Sequence, residues 1–460
     1  MEHSQLLHEN AQIEALAGWG RMGGGPCAVY RPERPWHLPP LLRDAPDGSL
    51  IPRGLGRSYG DAAVNDGAGV VDMTRLHAMH AFDPETGILE CESGVSLAEI
   101  IHIFLPRGFF LPVTPGTKFV TVGGAIANDV HGKNHHHDGT FGQHVESLEL
   151  LTPMGNTLHC SPTENSAVFW ATVGGIGLTG IILRARIRLQ PVASAYIQVE
   201  YYKARNLEAA LDSVTTMEGK YQYVMAWVDC LARGGNLGRS VVMGGVHAPV
   251  DFLPADKRAK PFHIPPKHTK AIPIDCPQFM LNPLSIKAFN FLFNAKHRNE
   301  SGVCVDYDSY YYPLDGIHNW NRMYGKAGFA QYQATIPKSE GAGLIKLLER
   351  LSVTGRASFL AVLKGMGAAN PGLLSHPFEG YTLTLDIPNR TGLIPFLHEL
   401  DRIVLDHGGK LYLAKDVAAT AETIAAMYPQ LGQFQEILGT LDPEQRFNST
   451  MARRLGIVAS

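Results

Sequence analysis

The chain has 460 residues with 45% hydrophobic and 18% charged side chains, which is typical of a soluble globular protein too long for one ordinary core. A net charge of −3 argues against nucleic acid as the main partner, because phosphate binding usually requires a basic surface. The six cysteines form no C-x-x-C pair, no signal-peptide pattern is present, and no apolar run is long enough to cross a bilayer. We therefore expect a cytoplasmic protein without a disulfide framework or a zinc ribbon.

The first half of the chain predicts small strands and helices separated by glycines. Ser96 and Glu99 form a capping box that opens a short helix, and glycine ends a second helix in residues 165–175. This pattern is typical of an α+β domain shaped around a ligand. Strands are expected within residues 68–73, 87–93, 147–160 and 180–192, the last with a solvated face that includes Ile182 and Arg184.

The second half predicts a split βαβ arrangement, because strands and helices alternate in the order β-α-β-β-α-β. Thr382, Thr384 and Asp386 share one face of the third strand, as Gln331 and Gln333 do on the first. This polar face is either solvated or lines a polar pocket, and its lack of long charged side chains keeps the pocket open as an alternative. The strands are expected at 329–337, 358–366, 380–388 and 409–416, and the helices at 339–352 and 391–408.

Several glycine-rich segments have either a cofactor-binding or a purely structural explanation. Residues 175–180 fit G-x-G-x-x-G, but a helix-like segment precedes them and a strand-like segment follows, the reverse of a Rossmann NAD site. Three other clusters, at 52–61, 114–129 and 131–139, are interleaved with serine, threonine and asparagine. Each alone could be a set of tight turns, but together they favour a large phosphate-bearing cofactor held by backbone amides.

The four histidines of the third cluster raise the alternative of a metal site. His131 and His135 have the i, i+4 spacing of zinc ligands on a helix, but Gly132 and Gly139 disfavour a helix there. Adjacent side chains in an extended segment also diverge from one another. We therefore interpret the cluster as cofactor contacts and expect no metal.

Taken in order, the segments R-G-L-G-R-S-Y-G-D, P-G-T and T-V-G-G-A-I-A resemble the vanillyl-alcohol-oxidase (PCMH) type of FAD-binding proteins. The resemblance implies a two-domain α+β fold, with an FAD-binding domain at residues 6–190 plus 410–460. It implies a substrate-binding domain with an antiparallel sheet at residues 191–409. Many members bond the flavin covalently to a histidine in the first loop; this chain has Arg57 there, so we expect FAD to be bound non-covalently.

The resemblance also assigns cofactor contacts, most of them in three glycine-rich loops. The implied FAD contacts are Arg53, Gly54, Gly56, Arg57, Ser58 and Tyr59; Pro115, Gly116, Thr117, Thr121, Gly123, Gly124, Ala127, Asn128, His131, Gly132 and Asn134; Gly174, Gly177 and Ile182; and Lys415.

A closer resemblance is carried by seven segments spread over nearly the whole chain, at residues 53–61, 121–145, 169–182, 320–333, 408–416, 420–429 and 451–455. These segments are similar to those of family members that oxidise a polyprenylphosphoryl ribose. This implies oxidation of the C2 hydroxyl of polyprenylphosphoryl-β-D-ribose to a ketone, the first half of an epimerisation that makes the arabinose donor for cell-wall arabinan. A separate NADH-dependent ketoreductase is implied as the partner that completes it. The implied catalytic residues are Lys415, His131 and Tyr59, and the implied substrate contacts are Lys133, Trp227, Tyr324, Gln331, Gln333, Lys364, Thr382, Thr384 and Lys415.

The chain departs from the mycobacterial members on the strand expected beside the flavin. Those members carry Asn-x-Cys there, and this chain carries Thr382 and Thr384. We therefore expect that nitroaromatic inhibitors, which attack that cysteine, do not trap this protein irreversibly. The identity of the lipid and of the sugar stays open.

A lipid-linked substrate also implies a route to a membrane, and we expect peripheral contact with its inner face. Residues 256–270 carry five basic side chains, and residues 284–298 carry three phenylalanines beside Lys296 and Arg298. Basic residues next to exposed aromatic rings suit transient docking on anionic lipid. The alternative is a packed helix under a solvated loop.

Two other functions stay open at this level. One is a flavin oxidase of a soluble sugar, alditol or aldonolactone, which rapid peroxide production with free sugars would indicate. The other is a lipid- or nucleotide-binding protein that kept the fold without activity, which the absence of flavin absorption would indicate.

Overall fold

The computed structural model describes residues 11–44, 48–356 and 360–458. Three predicted features reach outside these ranges: the start of the FAD-binding domain at residues 6–10, Ser358 and Phe359 in a predicted strand, and the last two residues of the chain.

Residues 12–191 form two main sheets and the helices that connect them. In chain order the elements are β1 (Gln12–Leu16), β2 (Gly25–Tyr30), α1 (Leu38–Asp44), β3 (Leu50–Arg53), β4 (Gly69–Asp72), β5 (Met79–Asp83), β6 (Ile88–Glu92), α2 (Leu97–Phe104), β7 (Phe109–Phe110), α3 (Val122–Ala127), α4 (His135–Asp138), β8 (Val145–Leu151), β9 (Thr157–Cys160), α5 (Ser166–Thr172), β10 (Ile181–Arg188) and β11 (Gln190–Pro191). One sheet has the order β1-β2-β4-β3, and the other is antiparallel with the order β5-β6-β10-β8-β9.

The local sequence signals in this region are confirmed with one correction. The predicted capping box opens α2: Ser96 accepts from the Glu99 amide at 3.2 Å, and the Glu99 carboxylate accepts from the Ser96 amide at 2.8 Å. The period-two prediction for β10 is wrong at its start. A register shift between Ile182 and Arg184 breaks the alternation, so that Ile182 is buried instead of sharing a solvated face.

The rest of the chain is organised around one large sheet. Its elements are β12 (Tyr196–Ala204), α6 (Leu207–Glu218), β13 (Tyr223–Val228), β14 (Ser240–His247), α7 (Ala255–Arg258), β15 (Lys270–Ala271), α8 (Pro283–Lys296), β16 (Glu300–Asp306), α9 (Tyr307–Tyr311), β17 (Ile317–His318), β18 (Phe329–Pro337), α10 (Gly341–Thr354), β19 (Ala361–Met366), β20 (Gly380–Pro388), α11 (Leu393–Asp406), β21 (Lys410–Leu411), α12 (Ala421–Met427), α13 (Leu431–Leu441) and α14 (Thr450–Arg454). Eight strands pair antiparallel in the order β16-β12-β14-β13-β19-β20-β18-β21.

The predicted split βαβ unit is confirmed as one half of this sheet, from β18 to β21, with the spatial order β19-β20-β18-β21. Its last strand is much shorter than the predicted 409–416. β21 has two residues, and a 3-10 turn, Leu413–Lys415, follows it. Lys410 and Leu411 of β21 pair with β18 and so join the large sheet at its edge.

Helices α10 and α11 cover one face of this half of the sheet. Leu347 of α10 and Leu397 of α11 belong to the same hydrophobic core as Leu383 and Leu385 of β20. Because side chains alternate along a strand, the polar residues of β20 face the other way, toward the first 190 residues of the chain. That helix-free face is therefore free to line a cavity. Within the three described ranges, no helix is both long and apolar enough to cross a membrane.

Candidate functional site

A cavity of about 630 Å³ lies between the glycine-rich loops and the helix-free face of the large sheet. Residues within 52–59, 114–133 and 176–182 line one side of it. Strands β13, β14, β18, β19 and β20 line the other side, and the turn that carries Lys415 contributes to its wall. The volume is in the usual range of ligand pockets.

The first glycine-rich loop, residues 53–59, presents its backbone to this cavity. The Arg53 guanidinium holds the loop by donating to the carbonyl oxygen of Ala63 at 2.8 Å. Gly56 has a φ of +63°, and a Cβ atom there would lie 2.4 Å from that guanidinium, so a side chain would be strained and would have to displace the guanidinium. Among the described residues, the amides of 55–58 donate to no protein acceptor. Free amides of this kind suit the oxygens of a phosphate group.

The second glycine-rich segment contains a short helix, α3, which the sequence did not predict. Its N-cap is Thr121, whose Oγ1 accepts from the Gly124 amide at 3.2 Å. A Cβ atom at Gly54 would lie 2.2 Å from the same Oγ1, and one at Gly123 would lie 2.8 Å from the Ser93 side chain. The glycines therefore allow the first loop, α3 and the loop at Ser93 to pack closely along one wall of the cavity.

Residues 175–180, which fit G-x-G-x-x-G, do not form a Rossmann motif, since helix α5 precedes them and strand β10 follows. Gly177, with a φ of +84°, and Ile182 line the cavity. Gly174 does not. A Cβ atom there would lie 3.1 Å from the backbone nitrogen of Ser375, so this glycine serves close packing against a neighbouring loop.

His131 is buried and lies where the glycine-rich loops meet the sheet. Its Nε2 is 2.8 Å from Gln333 Nε2, so the amide donates to this nitrogen and the ring proton is on Nδ1. That Nδ1 atom is buried without a protein partner among the described residues. Burial, with the charge of Lys364, holds the pKa of His131 well below its usual value, so the ring is neutral at physiological pH.

The other three histidines point in different directions. Residues 135–138 form the single helical turn α4, where the sequence predicted no helix. His135 accepts from the Gly367 amide at 2.9 Å, His136 contacts the Tyr221 carbonyl at 3.1 Å, and His137 lies beside Asp138. In the described ranges, no group of three or more histidine, cysteine, aspartate or glutamate side chains is placed to hold a metal ion.

The polar face of β18 and β20 is buried, and a carboxylate that was not predicted as a site residue lies beneath it. Asp386 accepts from Gln331 Nε2 at 2.6 Å and from the Tyr324 hydroxyl at 3.2 Å. Burial raises the pKa of Asp386 to about 7, although the Gln331 bond and the charge of Lys415 lower it. Strand alternation revealed the face that Asp386 shares, but not its depth.

Lys415 and Tyr59 meet at the polar end of the cavity. The Lys415 ammonium lies 4.0 Å from the centroid of the Tyr59 ring. Burial lowers the pKa of Lys415 to about 7, while the carboxylate of Asp386 raises it and Lys364 lowers it. Burial also holds the pKa of Tyr59 well above its usual value, so its hydroxyl stays protonated. A negative charge that develops nearby would draw a proton onto Lys415.

Two more lysines line the middle of the cavity. Lys133 donates to the carbonyl oxygen of Tyr310 at 2.6 Å and to that of Tyr311 at 3.3 Å. Burial and the charge of Lys364 lower the pKa of Lys133 to about 7, and burial lowers that of Lys364 to about 8. Both side chains are thus poised to bind an anion, which would restore their full charge.

Most of the predicted site residues line the cavity, and four do not. Gly174 packs as described above, and Asn134 instead donates to the Pro112 carbonyl at 2.7 Å. Tyr324 stacks on Phe329 behind the pocket, with ring centroids 4.0 Å apart, and Thr382 lies beneath Gln333. The predicted residues that line the cavity are Arg53, Gly54, Gly56, Arg57, Ser58, Tyr59, Pro115, Gly116, Thr117, Thr121, Gly123, Gly124, Ala127, Asn128, His131, Gly132, Lys133, Gly177, Ile182, Trp227, Gln331, Gln333, Lys364, Thr384 and Lys415.

Comparison with known proteins identifies the family to which the chain belongs. Residues 26–161 match the family model of the FAD binding domain, and residues 388–455 match that of D-arabinono-1,4-lactone oxidase. The chain is 39% identical over 452 residues to the decaprenylphosphoryl-beta-D-ribose oxidase of Mycolicibacterium smegmatis, covering 96% of this chain and 97% of that protein. The chain belongs to the decaprenylphosphoryl-β-D-ribose oxidase family.

The chain is also similar to other proteins, over smaller parts of its length. A Streptomyces coelicolor protein described as an uncharacterized protein in the mprA 5' region is 36% identical over 372 residues, 79% of this chain and all of that protein. Cytokinin dehydrogenase 10 of Oryza sativa subsp. japonica is 33% identical over 177 residues, 36% of this chain and 32% of that protein. The chain is an FAD-dependent oxidoreductase with the two-domain α+β fold of the vanillyl-alcohol-oxidase type.

The residues present fit FAD. The free amides of 55–58 and the crowded glycines at 54, 56 and 123 form a cradle that side chains would fill. The buried His131 Nδ1 and Ser93 Oγ have no protein partner among the described residues, and both belong to residues that line the cavity. The free amides and the close-packed glycines are the features that carry the fit, because they suit the phosphate oxygens of a dinucleotide.

Proposed function

We propose that this protein oxidises the C2 hydroxyl of a polyprenylphosphoryl-β-D-ribose to the 2-keto intermediate. The product would enter the second half of an epimerisation to the arabinose donor of cell-wall arabinan. The observation that carries the proposal is the likeness to decaprenylphosphoryl-beta-D-ribose oxidase over nearly the full length of both chains. The cavity agrees with this substrate, since a glycine-rich cradle adjoins a cationic and polar half.

FAD, when bound, supplies the acceptor for the two electrons and the hydrogen that leave a carbinol carbon. Lys415 is placed to supply positive charge as negative charge develops beside it. His131, held in one tautomer by Gln333, lines the cavity as a neutral ring and is positioned to contact a bound ring or hydroxyl. We assign Lys415, His131 and Tyr59 as catalytic residues.

We propose that the substrate contacts lie in the cationic and polar half of the cavity. Lys133 and Lys364 are placed to bind the substrate phosphate, for which an ammonium is a compact donor. Trp227, Gln331, Gln333 and Thr384 then surround the sugar.

We infer that FAD is held non-covalently at the first loop. Arg57 occupies the position of the histidine that carries the flavin in many relatives, and its guanidinium stacks 4.0 Å from the centroid of the Trp19 ring. Acid precipitation of the purified protein should release all the yellow chromophore into the supernatant. Flavin that stays with the pellet would contradict this assignment.

We further propose that residues 6–190 with 410–460 bind the cofactor and residues 191–409 bind the substrate. The 2-keto product must be reduced on the opposite face to complete an epimerisation. A separate NADH-dependent ketoreductase is proposed for that step.

We propose peripheral membrane contact through the outer face of α8, which consists of Leu284, Phe291 and Leu292. These three side chains are 77%, 65% and 65% exposed. Phe279 and Met280, just before the helix, are also exposed, and Lys287, Lys296 and Arg298 flank the apolar surface. Apolar groups with basic neighbours suit an anionic lipid surface.

The decisive experiment is the absorption spectrum of the purified protein before and after adding polyprenylphosphoryl ribose without oxygen. Bleaching of the flavin band is the expected result, with a 2-keto product detected by mass spectrometry. The 2-deoxy analogue is the control, because it lacks the hydroxyl that is oxidised. An unchanged spectrum with the full substrate would rule the proposal out.

A second candidate is an oxidase of a soluble sugar, alditol or aldonolactone. The match of residues 388–455 to the D-arabinono-1,4-lactone oxidase model favours it. Peroxide production with free sugars or lactones, and none with polyprenylphosphoryl ribose, would select this candidate.

A further inference from the structure

The cavity-facing side of the large sheet changes from polar to apolar, strand by strand. Its polar end consists of Gln331 and Gln333 on β18 and Thr384 on β20. In the register of the sheet, Lys364 of β19 is opposite Thr382 of β20. Cross-strand neighbours lie on the same face, so Lys364 marks the point at which the polar residues end.

Beyond Lys364 the same face is apolar. The register pairs Trp227 of β13 with Val362 of β19, Met225 of β13 with Met243 of β14, and Met243 with Tyr201 of β12. All five of these side chains line the cavity. We call this part of the cavity the apolar arm. In the described part of the chain, the arm is lined by no carboxylate and by no ammonium other than those of Lys133 and Lys364 at its inner end.

Helix α8 roofs the apolar arm. The Phe293 ring lies 4.5 Å from the Trp227 ring and 4.5 Å from the His297 ring, centroid to centroid. The helix is fixed there by Asn290, which donates to the buried Asp229 at 2.7 Å. Phe289 both lines the cavity and is 42% exposed, so the arm reaches the surface at this residue.

The exit at Phe289 adjoins the outer face of α8. Leu292 is three residues further along the helix, which places it on the same side, and it is 65% exposed. The arm is therefore continuous with the exposed apolar surface of α8. A ligand that fits the whole path has a polar head, an anionic group near Lys364 and Lys133, and a long apolar tail.

We propose that the apolar arm binds the isoprenoid chain of the substrate, with the phosphate between Lys133 and Lys364 and the ribose toward Gln333 and His131. This inference rests on the proposed function and adds to it the orientation of the lipid. Lys133 uses its ammonium on two carbonyl oxygens, which leaves a third donor for the phosphate. Among the described residues the Lys364 ammonium has no hydrogen-bond acceptor, so its donors are available to the phosphate.

The test compares dimethylallylphosphoryl ribose, which has one isoprene unit, with farnesylphosphoryl ribose, which has three. Because the additional units are buried in the arm, kcat/KM should be at least about tenfold higher for the farnesyl substrate. The variant Met243→Gln, of similar size but polar, should reduce this ratio toward one, whereas Met243→Leu should keep it. Ile345→Gln is the control for introducing a glutamine, because Ile345 is exposed on α10, on the other side of the sheet. This variant should keep the ratio.

Flavin content and melting temperature show whether each variant has folded, and the comparison in the unmodified protein tests the arm without any variant. If neither substrate bleaches the flavin, the proposed function itself is wrong. If both are oxidised with equal efficiency, or if Met243→Gln keeps the preference for the longer chain, the assignment of the arm is overturned.

Discussion

Gln331 donates from its amide to the buried carboxylate of Asp386 at 2.6 Å, which places a titratable group directly beneath the polar end of the cavity. The same carboxylate raises the pKa of Lys415, and Lys415 lowers that of Asp386. Each group therefore stabilises the charged form of the other. The Asp386 carboxylate thus opposes the lowering of the Lys415 pKa by burial, in a site where positive charge is needed.

Asp386→Asn should shift the alkaline limb of the pH profile of kcat/KM to lower pH. Without the carboxylate, the pKa of Lys415 falls and the ammonium loses its proton earlier as the pH rises. A shift of one unit reduces activity on that limb about tenfold. The matched control is Asp401→Asn, a buried carboxylate bonded to Tyr332 at 3.0 Å that does not act on Lys415. An unchanged limb in Asp386→Asn would refute the coupling.

Gly56→Ala should weaken FAD binding, because a Cβ atom at this position would displace the Arg53 guanidinium that holds the loop. Gly67 also has a positive φ, but a Cβ atom there would meet nothing within 4 Å. Both substitutions should cost about 1 kcal/mol of folding free energy through backbone strain. Only Gly56→Ala should lower the ratio of flavin to protein absorbance. Equal flavin loss in both variants would show that strain alone is responsible.

The glycine-rich loops and the split βαβ unit could be predicted because their signals are local. A glycine with positive φ, such as Gly56 or Gly177, is required by the backbone itself, and alternation over nine residues defines β18 and β20. The short helices α3 and α4 could not be predicted in the same way. Tertiary contacts stabilise such helices, for example the bond from the Gly367 amide to His135.

The apolar arm was beyond sequence reasoning for a related reason. Met225, Met243 and Phe293 come from two strands and a helix, and only the register of the sheet brings them together. The burial of Asp386 could not be predicted either. Alternation places this residue on the correct face of the strand but does not show that its carboxylate is fully buried. Tyr324 and Thr382, two of the four predicted residues that miss the cavity, lie behind residues that line it or share its polar face.

Lys364→Met should stabilise the flavin-free protein at neutral pH and weaken substrate binding. Burial lowers the pKa of Lys364 from 10.5 to about 8. Between about pH 8 and pH 10.5 the unfolded chain binds more protons at this lysine than the folded chain does, so the free energy of unfolding rises with pH. The destabilisation caused by the buried ammonium is therefore complete below about pH 8. The melting temperature of the variant should therefore be higher at pH 7, with the difference vanishing near pH 10.5.

The same variant should raise KM for polyprenylphosphoryl ribose about tenfold or more, because a charge-assisted contact to phosphate is lost. Lys220→Met, at an exposed lysine, is the control for both measurements. A difference in melting temperature that is the same at every pH would mean that the methionine acts by packing and not by removing a buried charge.

Thr384→Cys should make the protein sensitive to irreversible inhibition by cysteine-directed nitroaromatic compounds, whereas the natural chain should recover its activity after dialysis. Thr384 lines the cavity, so a thiol there is accessible to a bound inhibitor. Thr382→Cys is the matched control, because Thr382 is fully buried and lies beneath Gln333. Intact-mass measurement after turnover should show an adduct only on Thr384→Cys. An adduct on the unchanged chain would contradict the prediction.

Phe291→Asp combined with Leu292→Asp should abolish binding to anionic vesicles, because both side chains are exposed on the outer face of α8 and charges there would have to enter the lipid interface. Co-sedimentation with anionic phosphatidylglycerol vesicles measures this binding. The difference from sedimentation with uncharged phosphatidylcholine vesicles gives the part of the binding that depends on lipid charge. The natural chain should sediment several-fold more with the anionic vesicles and should lose that preference in high salt, since exposed charges are screened. The double variant Ile345→Asp with Val353→Asp adds the same charges to exposed positions on α10 and should bind as the natural chain does. If the α8 variant and the α10 variant sediment alike, the outer face of α8 does not contact the membrane, and the apolar arm must receive its lipid by another route.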